Sequence, residues 1–223
     1  METTLHQQLK RCYADGASNT EVTVGRYRID AVRDDELIEV QCASLSAIRD
    51  KSNQLLKRHK LRVVKPVIAR TRITKIKKPG GKPTSRRMSP KRGNILDLFE
   101  DLIYFTRVFP NPNLVLEVPM IHVEQFRMPA KRRRRRRWGK DYSVHDVQLE
   151  QIEHRYEFHE AADLLTLFHL PEKDDFNTAD LAKAIDRPRW VAQQIAYVLR
   201  NVGAIETAGR NRSGIRYASK AAA

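Results

Sequence analysis

Leu5, Leu9 and Cys12 recur at helical spacing over Thr3–Tyr13, and Asp15-Gly16 is a turn signal, so the chain opens with a short helix. Three short runs rich in Val, Ile, Tyr and Leu follow, over Glu21–Val24, Arg26–Val32 and Glu36–Cys42, and predict a three-strand meander. Ser44 can cap a helix over Leu45–His59, with Leu45, Ile48, Leu55 and Leu56 on its apolar face and Arg49, Lys51, Lys57 and Arg58 in water. Leu61–Ala69 then reads as a buried strand. The predicted order is helix, meander, helix, strand.

Thr71–Lys77 alternates like a further strand, ended by Pro79-Gly80-Gly81, and Lys82–Gly93 is basic and turn-rich. Asn94 can cap an amphipathic helix over Ile95–Phe105, and Leu114–Phe126 reads as a strand interrupted at Pro119. Val144–Phe158 and Glu160–Leu170 carry helical periodicity. From Phe176 the pattern is compact. Asn177 or Thr178 caps a helix through Ile185, Asp186-Arg187 turns, and Pro188 opens a second helix that Gly203 ends. Two short strands, Ala204–Ala208 and Ile215–Ala218, flank a basic turn. No internal repeat is visible.

Charge changes this picture. The 223 residues include 42 Lys and Arg against 27 Asp and Glu, a formal charge of +15, which points to a polyanionic partner. Lys131 and the arginines Arg132, Arg133, Arg134, Arg135, Arg136 and Arg137 form a run that cannot be buried. The expected division is therefore residues 1–128 as one α/β domain, 129–142 as a basic linker or loop, and 143–223 as a helical segment leading into a second small domain. No stretch approaches the roughly 18 consecutive apolar residues that span a bilayer, and METTLHQQLK offers no signal peptide. A cytoplasmic setting without membrane contact is expected, bacterial or nucleoid-associated rather than nuclear. Cys12 and Cys42 are too few for a disulfide scaffold, and no histidine has zinc-ligand spacing with them.

The candidate chemistry lies in the meander. If Asp34-Asp35 is a two-residue turn, antiparallel partners sum to 69, so Arg33 faces Glu36, Asp30 faces Glu39 and Arg28 faces Gln41. Directly opposed carboxylates lie about 4.5–5.5 Å apart at Cβ and repel unless something offsets them. Two carboxylates and the Val40 carbonyl make a hard-oxygen site suited to Mg²⁺ or Mn²⁺, and Gln41 is placed to orient a water there. The competing reading pairs Asp30 with Arg28 or Arg26 along a solvated sheet face. Arg49 and Lys51 either approach a phosphate and supply positive charge that Gln41 lacks, or form an ordinary wet helix face.

Asp30, eight residues, then Glu39-Val40-Gln41 resembles the active-site signature of the PD-(D/E)XK, or restriction endonuclease-like, nuclease superfamily. The resemblance covers roughly residues 1–70, including the helix–meander–helix–strand order. It implies metal ligation by Asp30 and Glu39 and a catalytic role at Gln41, where the family usually carries Lys and a minority carries Gln. The helix-1 glutamate of some members is missing, with Gln7 and Gln8 in its place, and Glu21 is a candidate auxiliary acid.

Residues 176–218 resemble a winged helix-turn-helix. In the second helix Val191, Ile195, Leu199 and Val202 make the core stripe, and Arg189, Trp190, Gln193, Gln194, Tyr197 and Arg200 occupy the complementary side, with Arg187 just before it. Such a face suits a major groove, and Arg210, Asn211, Arg212 and Arg216 on the hairpin suit the phosphate backbone or minor groove. Trp190 reads either as a stacking residue or as partial core. The Arg run can wrap phosphates, and Ser89-Pro90-Lys91-Arg92 looks like a minor-groove turn. The combined expectation is a Mg²⁺-dependent endonuclease of duplex DNA leaving 5′-phosphate and 3′-hydroxyl ends, with a homodimer left open. The rivals are a non-catalytic DNA-binding regulator on the same scaffold and an RNA-binding factor.

Overall fold

A computed structural model describes residues 3–14, 20–130, 141–169 and 175–219; the run Lys131–Arg137 lies outside the described residues. The elements, in chain order, are Thr4–Tyr13 (α1), Thr20–Val24 (β1), Tyr27–Arg33 (β2), Glu36–Val40 (β3), a 3₁₀ turn Leu45–Ile48 leading into Arg49–Leu55 (α2), Lys60–Val64 (β4), Val67–Ile76 (β5) and Pro83–Met88 (β6). A 3₁₀ turn Ile95–Asp97 leads into Leu98–Leu102 (α3), followed by Leu114–Pro129 (β7), Tyr142–Phe158 (β8) and a 3₁₀ segment Ala161–Leu167. Thr178–Ala184 (α4), Arg189–Val202 (α5), Ile205–Asn211 (β9) and Gly214–Ser219 (β10) complete the chain. The result is mixed α/β, a sheet of both parallel and antiparallel pairs flanked by helices. No described helix is long and apolar enough to cross a membrane.

Eight strands make the main sheet. β1, β2 and β3 form the antiparallel meander, β3 runs parallel to β4, and β4 and β5 both run parallel to β7. β4 and β5 keep nearly the same offset against β7, so they act as one strand broken at Lys65-Pro66. Leu61 pairs with Leu114 and Val67 with Met120, which puts Pro66 level with Pro119. Two residues without an N–H thus share one gap in the ladder, and β7 continues through its proline.

Alternation sorts the core into two clusters. Leu5, Leu9 and Tyr13 of α1 pack with Ala31, Ile38, Val40, Val64, Ile121 and Val123 on one face. Leu45, Ile48, Leu55 and the phenylalanines Phe99, Phe105 and Phe109 pack with Ile29, Leu37, Leu61 and Val63 on the other. Thr3 caps α1 through its hydroxyl, which accepts from the His6 N–H. The second cluster runs on into the C-terminal unit, where α3 and α5 pack together and Ala192, Ile195, Leu199 and Val202 are buried.

Several expectations change: the strand break expected after Ala69 falls at Lys65-Pro66, so Val67–Ile76 is continuous, and β7 is not interrupted at Pro119. Val144–Phe158 is strand β8, not helix. Opposite Arg127–Met120, β8 carries extra residues at His145, Glu150 and Glu153, and each bulge stretches the apolar spacing from two to three, which imitates a helix. Lys82–Gly93 contains β6, whose residues are all exposed, so no alternation betrays an edge strand. Glu160–Leu170 is a 3₁₀ segment over Ala161–Leu167 rather than an α-helix.

A charge network is buried under α1. Arg62, 9% exposed, donates to Glu36, Glu117 and Glu157 at 2.7–2.8 Å, and Glu117, 2% exposed, also accepts from the Tyr13 hydroxyl. Burial and the neighbouring Glu117 carboxylate push the Tyr13 phenol well up. Arg62→Met leaves Glu117 short of its main cation and should destabilise the fold by about 3 kcal/mol, read as a lower urea midpoint at unchanged m-value.

Candidate active site

The β2–β3 turn has the expected register: Arg33 pairs with Glu36, Val32 with Leu37 and Ala31 with Ile38, with Asp34 in the left-handed region at φ 53°. There the ladder stops. Asp30 and Glu39 do not form the next pair, because the Asp30 carboxylate itself accepts the Val40 N–H at 2.9 Å. Alternation along β2 slips at this point, with Ile29 in the α2-side cluster and Ala31 in the α1-side cluster. The two strands part, and the main-chain groups they release must find other partners.

Side chains from both covering helices supply them. From α1, His6 Nε2 lies 2.9 Å from the Val40 carbonyl and 3.2 Å from Asp30 Oδ2; since both are acceptors, Nε2 carries the proton. Lys10 Nζ, one turn on, lies 3.4 Å from Asp30 and 3.0 Å from Glu21. From α2, Lys51 Nζ donates to both oxygens of Glu39 at 2.6 and 2.7 Å and to the Arg28 carbonyl at 2.5 Å. Asp30 is thus met from one face of the sheet and Glu39 from the other, at the mouth where β2 and β3 separate.

The two carboxyls titrate in opposite directions. Burial alone raises Asp30, but its hydrogen bonds to His6 and the Val40 N–H and the positive charge of His6 and Lys10 bring it below its ordinary value. Glu39, 8% exposed, is raised by burial first and by the charge on Asp30 second, against the pull of Lys51. Asp30 and Glu39 therefore feel each other across the mouth. A carboxyl raised on folding costs stability once ionised, so the cost appears as pH rises from its unfolded to its folded value. In thermal melts without divalent cations, Glu39→Gln should gain on the unmutated protein over that interval, with no gain at more acid pH.

The remaining residues divide clearly. Glu21, with φ 58°, leaves the regular ladder of β1 and bonds Lys10, which also pairs with Asp30, and Arg28. Gln41 is adjacent in the chain, and its amide donates to the Ser44 carbonyl at 2.6 Å, so it braces the turn into α2. Of the helix pair, Lys51 belongs to the mouth, whereas Arg49 pairs with its neighbour Asp50 in solvent. The reading of Asp30 as a partner of Arg28 or Arg26 is replaced by His6 and Lys10. Those two were missed. Their signal was present as an i, i+4 polar pair beside Leu5 and Leu9 on the buried side of α1.

The donor set can be tested against a cation. Among the described residues no group of three or more His, Cys, Asp or Glu could hold a metal ion. Asp30, Glu39 and the Val40 carbonyl offer hard oxygens, of which the His6 N–H bridges Asp30 and Val40 while Lys51 holds both oxygens of Glu39. These residues fit Mg²⁺ or Mn²⁺ when His6 turns aside, with water completing the shell.

In the C-terminal unit two helices precede a two-stranded hairpin. Asn177 caps α4 in a capping box with Asp180, Gly203 ends α5 at φ 84°, and Phe176 bridges to Tyr217. Arg187, Arg189, Gln193 and Arg200 are exposed and Gln194 is half-buried. Trp190 is 60% exposed and Tyr197 45%, which removes Trp190 from the core. On the hairpin, Arg210, Asn211 and Arg212 are exposed, but Arg216 pairs with Asp175 and Asp180 and so braces the hairpin to α4. A cleft of about 640 Å³ separates the start of α5 from β5 and α3, lined by Lys65, Lys91, Arg92, Arg187, Trp190 and Gln194 among others. Lys65 Nζ, on its wall, donates to the Ala43 carbonyl, inside the Gln41–Ser44 turn. Gly93 sits on its wall because a Cβ there would meet the Ile68 carbonyl oxygen at 2.2 Å.

The model of one family, described as "Domain of unknown function (DUF8091)", matches residues 3–159. No curated protein and no solved structure matches.

Proposed function

The chain belongs to the DUF8091 family, and we propose that it is a metal-dependent DNA endonuclease with a restriction endonuclease-like core and a C-terminal winged helix. The observation that carries this reading is the parting of β2 and β3, which gathers Asp30, Glu39 and the Val40 carbonyl at one mouth with Lys51. Asp30, Glu39 and the Val40 carbonyl would hold Mg²⁺. When bound, that ion supplies charge stabilisation to a phosphodiester and lowers the pKa of water beside it, which favours hydrolysis to 5′-phosphate and 3′-hydroxyl ends. Lys51 pulls Glu39 toward its ionised form and would bring a positive charge to the phosphate, the task that restriction endonuclease-like nucleases usually give to the position of Gln41. Lys10 would hold Asp30 in place. The exposed face of α5 would carry the duplex.

A second reading is a DNA-binding regulator without catalysis. It is favoured by one observation: Asp30 and Glu39 each already have a cationic partner within the chain. Incubation of the full chain with duplex, nicked, branched and single-stranded DNA, with and without Mg²⁺ or Mn²⁺, separates the two. Cation-dependent cleavage of any of these supports the enzyme. Binding of duplex with no cleavage of any substrate supports the regulator.

A further inference from the structure

Far from the mouth, three strands place cations side by side. Lys75 of β5 is the direct register partner of Arg127 of β7, and Arg87 of β6 pairs with Ile73, two residues before Lys75. Like charges directly opposed across a sheet are unfavourable unless something offsets them. No carboxylate does: among the described residues, Lys75, Lys77, Arg87 and Arg127 form no ion pair. All four line one concavity of about 490 Å³, in which Asp141 is the single acidic residue. The site is also held in shape. The Arg127 guanidinium lies 4.0 Å from the centre of the Tyr142 ring and its Nε donates to Gln125 at 2.6 Å, while Thr84 ties β6 to the Lys75 carbonyl.

We propose that this concavity is a second binding site for the phosphate backbone of duplex DNA, set about one helical turn from the cutting mouth. The separation follows from the sheet. The Gln41 N–H bonds the Val64 carbonyl, and β4 and β5 continue along β7 from there to Lys75. Eleven residues at roughly 3.3 Å each give about 36 Å, close to the 34–36 Å of one turn of B-DNA. A duplex anchored at the mouth would therefore bring the same side of its backbone past the concavity. The site rests on the duplex-DNA reading above and extends it, since it would fix the direction in which the substrate leaves the mouth.

The test is the salt dependence of binding to a 30-bp duplex by the full chain and by a Lys75→Gln, Lys77→Gln, Arg87→Gln variant, which keeps side-chain bulk over Ile73. Each lost phosphate contact lowers the slope of log K against log salt by about 0.9, so the expected reduction is about 2.7. A slope unchanged to within about 0.5 overturns the second site and leaves the nuclease reading standing. Failure of the unmutated protein to bind the duplex overturns both. A reduced slope in a protein that never cleaves leaves the site in place and removes the nuclease.

Discussion

Asp30→Ala and Glu39→Ala are each expected to lower Mg²⁺-dependent cleavage by at least about 10⁴-fold while duplex affinity stays within about twofold. Asp30 and Glu39 are the two carboxylates proposed to hold the cation, so losing either removes a principal cation ligand, an effect on the order of 5 kcal/mol in the transition state. Binding survives because the exposed residues of α5 belong to a different part of the chain. Initial rates and gel-shift titrations with the same duplex make the comparison. A parallel loss of affinity and rate would assign these carboxylates to the fold instead.

Lys51→Ala is expected to lower kcat by about 10²–10³-fold with little change in KM, the usual cost of removing one preorganised group that stabilises transition-state charge. Lys51 Nζ is held by Glu39 and the Arg28 carbonyl, so it points into the mouth from α2. Adding Gln41→Lys to Lys51→Ala returns a cation to the end of β3 and should recover tenfold or more. A structural role for Lys51 predicts no such rescue, because Gln41 faces the Ser44 carbonyl and touches neither of the Lys51 partners.

Local chemistry was legible in the sequence; parting and docking were not. The Asp34-Asp35 turn fixed the β2–β3 register through Ala31 and Ile38, since a two-residue turn leaves one in-phase pairing. Extending that ladder one step to Asp30 and Glu39 failed, because a carboxylate near a backbone N–H competes with the strand opposite. Lys51 stayed ambiguous for another reason. A cation on a helix face reads the same whether water or a buried glutamate lies beyond it, and only the packing of α2 on Leu37 and Leu61 decides. His6 and Lys10 entered by the same route, through the docking of α1 across the sheet. The capped helices α4 and α5 were legible because Asn177, Pro188 and Gly203 act within one turn of themselves. β8 was hidden by its own bulges, which erase the period that identifies a strand.

The most direct measurement is an anomalous difference map from crystals soaked in Mn²⁺. The account predicts a peak at about 2.1 Å from carboxylate oxygens of both Asp30 and Glu39 and from the Val40 carbonyl, with the His6 ring turned away. A map without that peak, in which His6 still bridges Asp30 to Val40 and Lys51 still clasps Glu39, would contradict it.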